Sequence, residues 1–63
     1  MYKQFDNLSE LIEFLRVRKE ITKLEAARLS KIGTDIAFAE LDQAFDINVQ
    51  DDEYFLGLSG ISN

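Results

Sequence analysis

Phe45-Asp46-Ile47-Asn48-Val49-Gln50-Asp51-Asp52-Glu53-Tyr54-Phe55-Leu56-Gly57-Leu58 is the stretch on which the fold turns. Phe45, Ile47 and Val49 alternate with Asp46 and Asn48. Tyr54, Leu56 and Leu58 alternate with Phe55 and Gly57. Between the two runs lies a polar four-residue connection, Gln50-Asp51-Asp52-Glu53. Period-two alternation on both sides of a short polar turn predicts a β-hairpin. The same residues permit a rival, a short fourth helix from Asp52 to Leu58 that buries Tyr54, Phe55, Leu58 and Ile61. Gly57 and Gly60 penalise that helix by roughly 1 kcal/mol each, so the hairpin is the expectation. Tyr2-Lys3-Gln4-Phe5 can add a third strand, and residues 60–63 are expected to fray.

Upstream of this stretch the period is helical. From Leu8 to about Lys19, Leu8, Leu11, Ile12 and Leu15 follow the i, i+3, i+4, i+7 rule of one buried stripe. Asn7 and Glu10 form the pattern of a capping box, and Glu13 and Arg16 can pair on the outer face. A second helix is expected from Thr22. Thr22 and Glu25 repeat the capping-box pattern, with Ile21 stapled onto Ala26. Leu24, Ala27, Leu29 and Ile32 are expected on its buried side. Ala26 and Ala27 are small enough to let another helix approach closely. Gly33 stands where a helix ends in a left-handed residue. A third helix follows from Thr34 or Asp35 to about Ala44, with Ile36, Ala37, Leu41, Ala44 and Phe45 apolar. The short link between the second and third helices demands an angled helix-turn-helix corner or an antiparallel hairpin. The expected class is mainly α: a single small domain over residues 1–63, three helices with a C-terminal hairpin. The alternative is an all-α bundle with the fourth helix.

The composition limits the chemistry. The chain has 63 residues with no His, Cys, Trp or Pro, and 46% of it is hydrophobic. A disulfide scaffold, a thiolate or imidazole metal site, and a Ser-His or Cys-His catalytic pair are all excluded. A domain of about 60 residues buries only ~60% of its unfolded surface, which leaves little for a deep substrate pocket of ~300–1,000 Å³. A non-enzymatic module without a cofactor is expected. No apolar run approaches the ~20 residues of a membrane span, and Met1–Asn7 does not read as a signal peptide, so a cytoplasmic location is expected.

The charges are divided along the chain. Residues 1–34 carry 7 Lys+Arg against 5 Asp+Glu, a net of +2; residues 35–63 carry 7 Asp+Glu and no base, a net of −7. Most acidic runs are solubilising faces. A concentrated field also steers encounter with an oppositely charged partner.

Leu15-Arg16-Val17-Arg18-Lys19-Glu20-Ile21-Thr22-Lys23-Leu24-Glu25-Ala26-Ala27 resembles the first half of Cro/CI-type helix-turn-helix repressors. Leu15-Arg16, Lys19, Ile21-Thr22 and Ala26-Ala27 stand at matching places. Leu29, Ile36 and Ala39-Glu40 continue the pattern, which covers about half the chain. The resemblance implies a DNA-reading frame, and a Cro-like ending of three helices followed by strands fits the length. The departures are specific. The family's turn glycine falls at Ser30 or Lys31, with Gly33 late. The segment in the place of the recognition helix, Gly33–Asp42, has no Lys, Arg, Asn or Gln and three carboxylates, Asp35, Glu40 and Asp42. Specific DNA binders neutralise phosphates with Lys and Arg, and their commonest base contact is Arg or Lys to guanine. An acidic helix in the major groove is repelled.

Other constellations carry less. Asp46-x-Asn48-x-Gln50 begins like a calcium loop, but the required Gly and Glu positions hold Asp51 and Gly57. Gly57-Leu58-Ser59-Gly60 lacks the lysine of a phosphate loop. Phe38 lies at the edge of the third helix's apolar side. It is either ordinary core or an exposed aromatic anchor among carboxylates, as in a protein-binding hot spot. The preferred expectation is a small regulator of the phage or mobile-element type, an antirepressor or DNA mimic. It would bind a basic protein, or another DNA-binding protein, through Asp35, Phe38, Glu40 and Asp42, with Asp46, Asp51, Asp52 and Glu53 as a second acidic strip. The alternatives are a Cro-like repressor touching the DNA backbone through Arg16, Arg18, Lys19, Lys23, Arg28 and Lys31, and a homodimerising assembly module whose basic half faces the acidic half of another copy.

Overall fold

Leu56 sits at the centre of the sheet that organises the molecule, paired on one side with Lys3 and on the other with Ile47. The computed structural model describes residues 1–58. In chain order its elements are β1 (Tyr2–Phe5), α1 (Leu8–Val17), α2 (Lys23–Leu29), α3 (Thr34–Ala44), β2 (Ile47–Gln50) and β3 (Glu53–Gly57). The sheet is antiparallel with order β1-β3-β2. The class is therefore α+β, which corrects the mainly α expectation. The hairpin is not an appendage to a helical domain. Its second strand is the middle of a three-stranded sheet, because β1 pairs with β3 over its whole length, from Tyr2 opposite Gly57 to Phe5 opposite Tyr54. The alternative fourth helix is likewise overturned, since Glu53–Gly57 is strand. The expected fraying of residues 60–63, and Ile61 of the rival helix, lie outside the described residues.

Alternation gives the sheet two faces. Phe5, Ile47, Tyr54 and Leu56 look toward the helices, where Phe5, Ile47 and Leu56 are buried. The helices complete the core with Leu8, Leu11, Ile12 and Leu15 of α1, Ala26 and Leu29 of α2, Ala37 and Leu41 of α3, and Ile21 ahead of α2. Leu11, Leu15 and Leu56 are the largest side chains fully enclosed. Phe14 tilts against Phe5, with ring centroids 5.2 Å apart. No helix of the described residues is long and apolar enough to cross a membrane.

The helix ends follow local chemistry. Asn7 Oδ1 accepts from the Glu10 amide at 2.9 Å and starts α1; among the described residues Glu10 makes no return bond, so only half of the expected box forms. At α2 both halves form: the Glu25 amide donates to Thr22 Oγ1 at 3.0 Å and the Thr22 amide to Glu25 Oε1 at 2.9 Å. Helix α1 stops at Arg18, and the Glu20 amide reaches back to the Leu15 carbonyl while Lys19 reaches Arg16. That is the paired bonding of a Schellman stop, whose left-handed position usually holds glycine. Here Lys19 occupies it at φ 63°. Gly33 is not the left-handed stop expected of it. It caps the start of α3 at φ −62°, ψ 147°, with nothing near where a side chain would go.

The hairpin turn is tighter than the four polar residues suggested. Gln50 and Glu53 pair with each other, so the loop is two residues, Asp51 and Asp52, at φ 53° and 64°. Two left-handed residues make the turn whose twist suits a hairpin, and its preferred second residue is glycine. A β-carbon costs about 1 kcal/mol in that backbone region. Lys19→Gly and Asp52→Gly are each therefore expected to raise stability by about 0.5–1 kcal/mol, measured as a rise in the urea midpoint at unchanged slope.

Candidate functional site

The third helix shows one face to the core and the rest to water. Ala37 and Leu41 point inward at i, i+4 spacing and are buried. Asp35, Ile36, Ala39, Asp42 and Gln43 are exposed. Ile36 is 58% exposed, although it was expected in the core. It sits one residue before Ala37, a rotation of about 100° around the helix, which carries it off the Ala37–Leu41 line. The outward face is thus an isoleucine and an alanine one turn apart, with Asp35 and Asp42, seven residues apart, together along one edge. No cation stands anywhere on α3.

Two residues expected on this face are engaged within the chain. Phe38 is half buried, its ring 5.9 Å from that of Tyr54 on β3, so it anchors α3 to the sheet. Glu40 is bound by Arg28 of α2 through a two-pronged contact, with Nη1 3.3 Å from Oε2 and Nη2 on Oε1. The guanidinium hydrogen bond holds the Glu40 carboxyl below its ordinary value. The pair ties α2 to α3 and removes one negative charge from the face.

The second acidic strip divides. Asp46 and Asp51–Glu53 lie at opposite ends of the hairpin, since Asp46 neighbours Gly57 through a 2.7 Å backbone bond while Glu53 faces Gln50 across the turn. Asp46 accepts from the Tyr2 hydroxyl at 3.1 Å, and Glu53 accepts from Gln4 Nε2 at 2.5 Å. Both bonds hold β1 to the hairpin. Asp51 and Asp52 are exposed in the turn. Among the described residues no three acidic side chains converge as metal ligands would.

The basic residues are also unequal. Arg16 is held by Glu13 of its own helix, Nη2 to Oε2 2.5 Å, and Arg28 by Glu40. Arg18 lies over the Phe14 ring at 5.4 Å, with Lys3 Nζ 5.5 Å from the same ring. Lys19, Lys23 and Lys31 are exposed. Among the described residues Arg18, Lys19, Lys23 and Lys31 have no ion-pair partner. Beside them are two apolar side chains in water, Val17 at 63% and Leu24 at 81% exposure. Leu24 and Ala27 were expected on the buried side of α2; both are exposed, and Ala26 with Leu29, at i, i+3 spacing, fill that side instead. Arg16, Val17, Lys23, Ala26, Ala27 and Ser30 line one open groove together with Lys3 and the carboxylates Asp6, Glu10 and Glu13.

Among the described residues three carboxylates lie below their ordinary value of 4.5: Glu13 and Glu40 chiefly through hydrogen bonds from Arg16 and Arg28, and Glu25 chiefly through the backbone bond of Thr22. A carboxylate whose value is depressed by folding contributes stability above its unfolded value, and that contribution is lost as pH falls through the folded one. Stability is therefore expected to decline as pH drops below 4.5, and Glu25→Gln to flatten the decline. Thermal melts between neutral and acid pH measure both. Comparison with family models, with curated protein sequences and with solved structures finds no match for this chain.

Proposed function

We propose that this chain is a small non-enzymatic regulator that acts by protein contact, and that the outward face of α3 is the contact. The observation that carries the reading is the face itself: exposed Ile36 and Ala39 with exposed Asp35 and Asp42 along one edge, on a helix with no cation. An apolar patch with an acidic edge suits a protein partner whose own surface is basic. It opposes a polyanion, because phosphate binding draws its affinity from Lys and Arg. Phe38 and Glu40 position this face and do not form it. The partner class is a basic protein surface, including that of a DNA-binding protein, which a carboxylate-bearing helix can occupy in place of DNA. A cytoplasmic site of action goes with this reading.

Capture of native-cell proteins by the wild type and by Asp35→Lys/Asp42→Lys tests it. A partner retained by the wild type and lost with the variant is the expected result. Equal retention by both contradicts the reading.

A second reading has its own observation. Arg18, Lys19, Lys23 and Lys31 are exposed and unpaired among the described residues, so a Cro-like repressor would touch the DNA backbone with these four. Arg16 and Arg28, each held by a glutamate, would contribute less. Backbone contacts position a protein without reading sequence. A gel shift with steep salt dependence, abolished by Arg18→Gln/Lys23→Gln, is what that reading requires.

A further inference from the structure

We propose that the outer edge of β2 is a docking site for an extended, basic peptide segment of another protein, which adds to the sheet as a fourth strand. This surface is separate from the α3 face and draws nothing from it.

β2 is an edge of the sheet, with β3 on one side only. The Gly57 amide donates to the Asp46 carbonyl at 2.7 Å, so the Asp46 backbone faces β3. Backbone groups in an antiparallel pair alternate in direction. Asn48 and Gln50 therefore face β3 as well, while the N–H and C=O of Ile47 and Val49 point away from it. Among the described residues β2 pairs with β3 alone, and no turn or loop bond takes up those four groups. Native edges are commonly guarded by a charge, lysine above all, or by proline. The other edge, β1, carries Lys3; β2 is Ile47-Asn48-Val49-Gln50, with neither. Its Val49 is 48% exposed. Open ladder groups give affinity to an added strand, and its alternate side chains give selectivity.

The charges around the edge choose the occupant. Asp46 stands at one end of β2 and Asp51 and Asp52 at the other, all three exposed. Residues 35–63 hold no base to answer them. Asp46 and Asp51 are five positions apart, roughly 17 Å of strand, so an added strand with a basic side chain near each end meets both. On the outward sheet face Tyr2 and Phe55 line a shallow depression with Asn48, Val49 and Gln50. The Tyr2 hydroxyl donates to Asp46, which sets a carboxylate beside an aromatic ring. An arginine laid across Asn48 points toward that pair, and a guanidinium is held by an aromatic face and a carboxylate together. A second copy suits this edge poorly. Antiparallel self-pairing sets Asp46 of one chain beside Asp51 or Asp52 of the other, and like charges across strands destabilise. The same carboxylates oppose nucleic acid.

The probe is a blocked peptide of alternating arginine and valine, eight residues long, titrated into the isotope-labelled protein and followed by NMR. Amide shifts should centre on β2, and exchange of the Ile47 and Val49 amides with solvent should slow at least about tenfold at saturation. Val49→Pro removes an outward N–H and leaves the bonds to β3 in place. It should weaken the peptide at least about tenfold with unchanged far-UV circular dichroism. A fully N-methylated peptide of the same sequence keeps the charge and loses the donors. It should lose as much on the wild type, and it decides the question if Val49→Pro fails to fold. A peptide of alternating glutamate and valine should not bind. No saturation by about 1 mM peptide, equal affinity for the N-methylated or the glutamate peptide, shifts confined to α3, or a folded Val49→Pro that binds as the wild type does overturns the proposal. A free protein of twice the 7.2 kDa chain mass, with its Ile47 and Val49 amides already protected, assigns the edge to a second copy and overturns it too. None of these results bears on the α3 reading, which the Asp35→Lys/Asp42→Lys capture tests.

Discussion

Leu56→Ala is expected to unfold most of the protein at 37 °C. Leu56 is 1% exposed and lies on the middle strand, between β1 and β2. Truncating a buried leucine removes its transfer energy and leaves a cavity, about 2–5 kcal/mol in all. A single core in a domain below ~70 residues rarely supplies more than about 3–5 kcal/mol. The loss is therefore comparable with the whole stability. No disulfide is available to offset it, since the chain has no cysteine. Urea unfolding followed by circular dichroism measures the change. Leu24→Ala is the matched control. Leu24 is 81% exposed, and its removal should move the midpoint by no more than about 0.5 kcal/mol. If both changes were equally damaging, the assignment of the core would be wrong.

The second large effect is on binding. Asp35→Lys/Asp42→Lys is expected to weaken capture of a basic protein partner by at least about tenfold to a hundredfold, or ~1.4–2.8 kcal/mol. Stability should change little. Both side chains are exposed and make no side-chain bond among the described residues, and surface substitutions of that kind stay within about ±0.5 kcal/mol. Asp35 does favour the α3 amino end, which is worth about 0.3–1 kcal/mol, so Asp42→Lys alone is the cleaner stability control. Isothermal titration against the captured partner reads the affinity. Glu40→Gln should behave differently: it releases Arg28 from its ion pair and removes a charge that the face does not present. A variant series in which Glu40 mattered more than Asp35 and Asp42 would place the contact between α2 and α3 instead.

The local signals of this sequence were readable, and the non-local ones were not. The stripe Leu8, Leu11, Ile12 and Leu15 sits at strict helical spacing and is buried as written. The Thr22–Glu25 box depends on residues three apart and forms in full. The hairpin strands carry their own alternation. By contrast β1 has only Phe5 buried among four residues; what makes it a strand is β3, about fifty positions away, and no pattern within Tyr2–Phe5 states that pairing. Its weight in the fold was missed for that reason, and with it the class. Ile36 was grouped with Ala37, Leu41, Ala44 and Phe45, and Leu24 with Ala27, Leu29 and Ile32; Ile36, Leu24 and Ala27 are exposed. Leu24 with Ala27 and Ala26 with Leu29 stand at the same three-residue spacing, so which pair faces the core is decided by packing against the other elements.

The candidate site divides in the same way. The charge asymmetry is a property of composition and is visible in the sequence. Which charges remain free is a property of packing. Glu40 and Arg28 are twelve positions apart and meet only because α2 and α3 are joined by the short Ser30–Gly33 link. Asp46 and Glu53 look alike in sequence, yet one bonds Tyr2 and the other Gln4 at opposite ends of the hairpin. What is left on α3 is narrower than the sequence suggested, two carboxylates and an exposed isoleucine, with the aromatic turned toward the sheet.

A photoreactive residue placed at Ala39, the exposed centre of α3, addresses that face in the native cell. A covalent adduct to protein, this chain or another, is expected there, and its loss when Asp35 and Asp42 are changed to lysine. An adduct to nucleic acid at Ala39, persisting in the wild type at physiological salt, would contradict it.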